Sequence, residues 1–297
     1  MRRGQPPRSD IEGAARAARY ALLVAACRQA GASHLLTAHQ RDDLAEGFLL
    51  RLRRAAGVFG LAAMRSALPL DGLTLARPFL SVPRARLHAT ALAAGLQPFD
   101  DPMNADPRFE RARARKLLPA LAEAGLDADT LAAAAERLRD AADAIEQAAS
   151  AFLASAVVVD ACAIAWLGVA DFAAQPQAVR LRALVRLLMA AGGEDYPPRR
   201  DRLVALHDAI AANPLRLKRT LGGAVAEIRG GQVAFYREAG RDGLPSLRLS
   251  PGGSGVWDRR FSYTVAPGSP GGLVLAPYRP SPAATLPLAT PGRFPHA

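Results

Sequence analysis

Residues 33–64 read SHLLTAHQRDDLAEGFLLRLRRAAGVFGLAAM, and their pattern decides the fold. A short apolar run, Leu35-Leu36, sits between Gly31 and the polar residues after Thr37, which is how a buried strand reads. Ala38-His39-Gln40-Arg41 then leads into a helix opened by Asp42 and Asp43. At about 100° per residue, Asp42, Asp43 and Glu46 fall in one arc, and Leu44, Ala45, Phe48, Leu49 and Leu52 in the opposite one. Leu50 lies off the apolar stripe. Open α/β sheets place their ligands where a strand end feeds a helix start. Here that junction carries an imidazole and a set of carboxylates.

Two readings of this cluster stand side by side. Carboxylates near a helix N-terminus can hold an ammonium group or a hydrated Mg2+, and a histidine can shuttle a proton or bind phosphate. Acids in the first turn, with Arg51, Arg53 and Arg54 in the last, also complement the helix dipole for stability alone. Spacing does not choose between them.

The words of this stretch resemble the signature of tRNA(Ile)-lysidine synthases, in the PP-loop ATP pyrophosphatase group. The family pattern is A-H-H-x-D-D-Q-A-E-T, an apolar helix, R-G-S-G and then G-L-x-x-M. His39, Asp42, Asp43, Ala45, Glu46, Gly57, Gly60, Leu61 and Met64 match it. Gln40 replaces the second His, Leu44 the Gln, Gly47 the Thr, and Ala55-Ala56 the Gly-Ser. Upstream, Arg16, Arg19 and Tyr20 match an A-R-x-x-R-Y helix that lends an arginine to the family's active centre. Arg19 fits that role by its spacing to His39, with an ordinary surface arginine as the alternative. Downstream, FDDPMNADPRFERARARKLLPAL resembles D-P-S-N, R-N-x-x-R and L-L-P. Asp101, Pro102, Asn104, Arg111, Arg115, Leu117, Leu118 and Pro119 match, whereas Met103 and Ala112 depart. Arg111, Arg113 and Arg115 could reach phosphate oxygens bidentately, or form a solvated basic helix face.

The resemblance implies an α/β fold, the remnant of a parallel-sheet PP-loop domain of the adenine nucleotide α-hydrolase-like kind. It implies ATP and Mg2+ as cofactors, and lysine and tRNA(Ile) as partners. Asp43 and Glu46 would hold the lysine ammonium, His39 and Arg19 would act at the adenylated base, and Arg111, Arg115 and Asp42 would bind substrate or phosphate. Family members open with a Ser-Gly-Gly-x-Asp-Ser loop that cradles ATP phosphates, and these 297 residues contain none. About two βα units, ~80–100 residues, are therefore expected to be missing, through a mis-assigned start or a truncated gene. The chain alone is expected to bind ATP poorly, and its shortened sheet to expose an apolar edge.

The remaining pattern divides the chain into residues 1–122, the C-terminal part of the catalytic domain; 123–214, helical; 215–280, β-rich; and 281–297, a disordered tail. Helices are expected over IEGAARAARYALLVAACRQAG, with Ser9 or Asp10 as N-cap, and PRARLHATALAAGL, closed by Gly95. The long Ala-rich run after Gly125, PQAVRLRALVRLLMAAG, and RRDRLVALHDAIAA before Asn213-Pro214 read as further helices. LTLARPFL reads as a strand, AVAEIRGGQVAFYRE as a hairpin at Gly230-Gly231, and FSYTVAPGSPGGLVLAPY as a second hairpin at its Pro-Gly cluster. The pieces Thr220-Leu221-Gly222-Gly223, Arg237-Glu238 and Trp257-Asp258-Arg259-Arg260-Phe261 resemble the C-terminal portion of proteobacterial lysidine synthases.

Net charge is +11, and 36 of the 38 basic residues are Arg, which suits an RNA partner and equally a GC-rich genome. Cys27 and Cys162 are isolated, so neither a structural zinc site nor a disulfide framework is expected. The absence of C-x-x-C pairs also separates the chain from the tRNA thiolases of the same group, while a non-catalytic RNA-binding remnant stays open. No apolar run is long enough to span a bilayer, so a membrane partner is not expected and the cytoplasm is the default location.

Overall fold

The computed structural model describes residues 11–99, 108, 110–160, 162–212, 215–240 and 243–277. Ser9 and Asp10, the turn from Asp101 to Asn104, Asn213-Pro214 and the tail at 281–297 lie outside the described residues. Internal contacts divide the chain into two units, Met1–Ala142 and Asp143–Ala297.

In the first unit, α1 (Ile11–Gln29) ends at Gly31, whose φ of +64° only glycine adopts without strain. It leads to β1 (His34–Leu36). The chain crosses over through α2 (Arg41–Arg53) and α3 (Val58–Leu61) to a tight hairpin, β2 (Ala67–Leu70) and β3 (Leu73–Ala76). The three-stranded sheet has the order β1-β3-β2, with β1 parallel to β3 and β2 antiparallel to it. β1 is thus an edge strand, with Leu35 buried and Leu36 65 % exposed. The expected strand through Pro78 stops at Ala76, because Pro78 has no N–H to give a ladder.

Two helices complete what holds α2: α4 (Arg84–Ala93) and α5 (Glu110–Glu123). A longer helix, α6 (Ala128–Ala156), begins in this unit and continues into the second. The apolar side of α2, Leu44, Ala45 and Phe48, packs with Ala63, Leu80, Leu131, Ala132 and Ala135 into one core. The Gly-Leu-x-x-Met segment closes that core: Leu61 and Met64 pack onto it, and Ala63 N–H donates to Ala135 O at 3.0 Å. Gly60 is required there, since a Cβ would stand 2.8 Å from Ala56 Cβ.

α2 ends in a Schellman motif: Ala56 N–H donates to Arg51 O at 3.1 Å and Ala55 N–H to Leu52 O at 2.9 Å. The residue at the left-handed position is Ala55, with φ +51°, where the family pattern has glycine. An L-residue there carries about 1 kcal/mol of strain.

In the second unit, a five-stranded antiparallel sheet has the order β4-β5-β8-β7-β6. Its strands are β4 (Val157–Val159), β5 (Ala165–Gly168), β6 (Leu217–Leu221), β7 (Ala224–Arg229) and β8 (Gln232–Arg237). The β7–β8 hairpin turns at Gly230-Gly231, both at positive φ, as its sequence predicts. After the short α7 (Val169–Ala173), helices α8 (Gln177–Gly192) and α9 (Arg200–Ala211) share one core with this sheet through Leu184, Leu187, Leu188, Leu206, Ile210 and Phe235. β4 and β5 are absent from the sequence reading, being short strands inside an Ala-rich run.

The second expected hairpin does not form. β11 (Phe261–Thr264) pairs with β10 (Ser254–Trp257), and β12 (Val274–Leu275) pairs with β9 (Leu247–Arg248). Both partners precede the Pro-Gly cluster, which therefore serves as a connection between two ribbons.

Candidate functional site

The β1–α2 junction is built from side chains that also hold the backbone. His39 Nδ1 lies 2.9 Å from Thr37 Oγ1, which fixes the ring and leaves Nε2 for a ligand. Burial pushes the His39 pKa below its ordinary value; the Asp43 carboxylate opposes this, and Arg77, Arg16 and Arg111 reinforce it. The imidazole is therefore neutral near pH 7, a proton acceptor among cations.

Asp43 accepts a hydrogen bond from Gln40 N–H at 2.9 Å, capping the first turn of α2. Asp42 reaches across to α4, where its carboxylate accepts from Arg84 N–H at 2.8 Å. Both acids thus perform the helix-stabilising task that spacing alone allowed. In Asp43 this leaves one carboxylate oxygen over.

Glu46 behaves differently. Although it belongs to the polar arc of α2, its side chain is only 2 % exposed, because α5 lies over it. Arg115 of α5 donates from Nε to Glu46 Oε1 at 2.7 Å. That hydrogen bond, opposed by burial and assisted by the charges of Glu46, Asp43 and Asp42, raises the Arg115 pKa. The second oxygen, Glu46 Oε2, is buried and has no hydrogen-bond partner among the described residues. A buried acceptor left open in this way is destabilising by about 1–3 kcal/mol unless a donor fills it. Leu50, off the apolar stripe, lines a pocket between α2 and α5 together with Leu49, Ala114 and Leu117. α2 therefore meets the core on one side and α5, at Glu46, on the other.

Arg115 holds Glu46, the charges of Asp43 and Asp42 act on Arg115, and those of Asp43 and Arg111 act on His39, so these six residues lie within electrostatic reach of one another. Arg19 is not among them by any described contact: its side chain is exposed on α1. The α1 arginine whose charge acts on His39 is Arg16, which also lies 5.4 Å from the centre of the Tyr20 ring. Three further residues escaped sequence reasoning. Thr37 orients His39. Arg77 is 6 % exposed and donates from Nη1 to Arg65 O at 2.8 Å, while its Nε has no partner among the described residues. Arg51 is half-buried, and its Nε and Nη2 have no partner among the described residues. A Thr two residues before the His and the Arg of Arg-Pro-Phe-Leu were visible signals; in so Arg-rich a sequence Arg51 gave none.

Elsewhere, two of the basic residues of α8 are tied down within the second unit: Arg182 pairs with Glu146, and Arg186 donates to Ser150 Oγ at 2.5 Å. His207 is buried, 2.8 Å from Asp208 Oδ1 and tilted against Phe172. The C-terminal motif pieces converge on Arg237, which donates to Gly192 O at 2.7 Å and Gly223 O at 3.1 Å and pairs with Asp258 at 3.2 Å.

Among the described residues no three His, Cys, Asp or Glu side chains converge as a metal site. No helix among the described residues is long and apolar enough to cross a membrane.

Residues 3–121 match the PP-loop domain family. The chain is 42 % identical over 259 residues to the tRNA(Ile)-lysidine synthase of Rhodopseudomonas palustris, covering 81 % of this chain and 72 % of the relative. It is 45 % identical over 247 residues to that of Methylobacterium sp. strain 4-46, covering 80 % and 71 %. A more distant tRNA(Ile)-lysidine synthase, from Wolbachia pipientis wMel, is 29 % identical over 272 residues, covering 92 % of this chain and 63 % of the relative. With a PP-loop domain spanning the β1–α2 junction and this extent of identity, the chain belongs to the tRNA(Ile)-lysidine synthase family, a group of ATP-using, tRNA-modifying ligases.

Proposed function

We propose that the chain carries the lysine-accepting side of a site that joins lysine to C2 of the wobble cytidine, position 34, of tRNA(Ile) with a CAU anticodon. In the first step the cytidine O2 attacks the α-phosphorus of ATP, and pyrophosphate leaves. In the second, the lysine side-chain amine forms a bond to C2, and AMP departs with the former O2. The 297 residues hold no Ser-Gly-Gly-x-Asp-Ser loop, so the chain requires a phosphate cradle that they do not supply.

The observation that carries this reading is the open oxygen of Glu46. An ammonium group has three donors and no acceptor, and a buried carboxylate oxygen with no partner, one helical turn from Asp43, is its complement. Asp43 and Glu46 hold the lysine ammonium. A protonated amine is no nucleophile, so a proton must leave before attack. Neutral His39 takes it, or orients the base, through Nε2, the ring nitrogen not engaged with Thr37. Arg115 holds Glu46 in place through its Nε hydrogen bond, and Arg111 neutralises the phosphate.

The test is transfer of labelled lysine to tRNA(Ile) transcripts by the chain extended with a Ser-Gly-Gly-x-Asp-Ser βα segment. The extended chain should form lysidine, the unextended chain should not, and Glu46→Gln or Asp43→Asn should lose about a hundredfold or more. Normal lysidine formation by either variant would refute these roles.

A further inference from the structure

Among the described residues of the first unit, Arg51 is the cation with two shielded nitrogens that have no partner. It springs from the last turns of α2 and folds back along its own helix. Its Nη1 and Nη2 stand 3.1 and 3.4 Å from where a Cβ on Gly47 would be. Position 47 holds threonine in the family pattern, and in this chain glycine leaves the room that the guanidinium occupies. Nε and Nη2 are shielded from solvent yet donate to nothing among the described residues. The neighbouring acid does not serve it: Glu110 is taken by Arg53 and Arg54. Those two pairs draw the first turn of α5, where Arg111 follows Glu110, against the last turns of α2; burial, and then the charge of Arg111, lower the Arg51 pKa.

Two guanidinium groups held near one another, one with shielded and unpaired N–H groups, form an arrangement that repels itself until an anion enters. We propose that Arg51 and Arg111 together form a phosphate-binding pair, opened by the glycine at position 47. A phosphate suits it better than a carboxylate. Its several oxygens can accept from two guanidinium forks at once, and its greater charge offsets two cations. The proposal rests on the reading of this site as one that handles phosphate-bearing substrates, and it adds to that reading a second arginine and the reason this one is free to serve. The phosphate could belong to a nucleotide or to an RNA backbone, which the same chemistry would recognise.

The test measures binding of pyrophosphate and of an RNA hairpin with the tRNA(Ile) anticodon loop to the purified chain by calorimetry. Wild type is compared with Arg51→Met, Arg51→Lys, Gly47→Thr and, as a charge control on the same helix, Arg53→Met. Far-UV circular dichroism verifies that each variant is folded. Arg51→Met should weaken binding of at least one ligand about tenfold or more. Gly47→Thr, which keeps every charge and only crowds the guanidinium, should weaken the same ligand about fivefold. Arg51→Lys should rescue part of the loss, and Arg53→Met should change it less than about twofold. Loss confined to pyrophosphate assigns the pair to a nucleotide phosphate, and loss confined to RNA assigns it to the backbone. No binding of either ligand by wild type, or losses no greater for Arg51→Met and Gly47→Thr than for Arg53→Met, overturns the proposal. Lysine binding and its loss in Glu46→Gln report on the lysine site separately, so either idea can fail without the other.

Discussion

Replacing Arg115 by methionine removes the counter-ion of a carboxylate that is 2 % exposed, while leaving the aliphatic packing of α5 over α2 nearly unchanged. Losing one member of a fully buried pair is destabilising by about 3–5 kcal/mol, because the remaining charge is stranded. Arg115 is itself 34 % exposed, so water can follow where it was and screen part of the deficit. The expected loss is about 2–3 kcal/mol, which in a unit of this size lowers the melting midpoint by roughly 5–10 °C. Both tryptophans, Trp166 and Trp257, lie in the second unit, so their fluorescence is blind to this change. Hydrogen exchange of the α2 and α5 amides, followed by mass spectrometry, reads it directly. The double variant Glu46→Gln/Arg115→Met strands no charge and should recover more than half of the loss. An Arg115→Met protein within about 0.5 kcal/mol of wild type, or a double variant as unstable as the sum of the singles, would show that α5 is held on α2 by something other than this pair.

Three further outcomes follow from particular contacts. The His39 ring, followed by NMR, should titrate below its ordinary value, and Arg16→Gln should move the midpoint upward, since Arg16 opposes protonation. A histidine with a depressed folded pKa binds fewer protons than the unfolded chain, so its contribution to stability is complete above about pH 6.5. That contribution fades as the pH falls through the folded midpoint; a midpoint above the ordinary value would contradict the burial argument. Ala55→Gly should stabilise the first unit by roughly 1 kcal/mol by relieving a φ of +51°, measured by the same exchange experiment; destabilisation would mean that Ala55 is not strained. Gly192→Ala would place a Cβ 1.9 Å from Gly222 O and should destabilise the second unit by about 3 kcal/mol or more, which Trp166 fluorescence in urea can follow; a neutral result would deny the close approach of α8 to the β6–β7 turn.

The β1–α2 junction was legible because local signals agreed there: a short apolar run, acids in the first turn, and an apolar arc at helical spacing. The β7–β8 hairpin was legible for a similar reason, its two glycines matching the positive φ angles that the turn demands. What sequence reading could not supply was the partner across a long loop. Glu46 looked like a member of an open polar arc because nothing within α2 announces that Arg115, some seventy positions on, will cover it. Leu50 looked misplaced for the same reason. The Pro-Gly cluster after Val265 looked like a hairpin turn, but the strands on either side of it find earlier partners, at Ser254–Trp257 and Leu247–Arg248. Among the arginines, composition hid the distinction: with 36 of them, the exposed Arg19 and the inward-acting Arg16 look alike until their surroundings are known.

One carboxylate oxygen of Glu46, a helical turn from Asp43, is buried with no donor among the described residues. Equilibrium binding of lysine and of norleucine, its analogue without the side-chain amine, to the wild-type chain and to Glu46→Gln tests this most directly. Lysine should bind to wild type, while norleucine should bind at least about tenfold more weakly, and Glu46→Gln should lose the preference. Equal binding of the two amino acids, or a preference that survives Glu46→Gln, would contradict it.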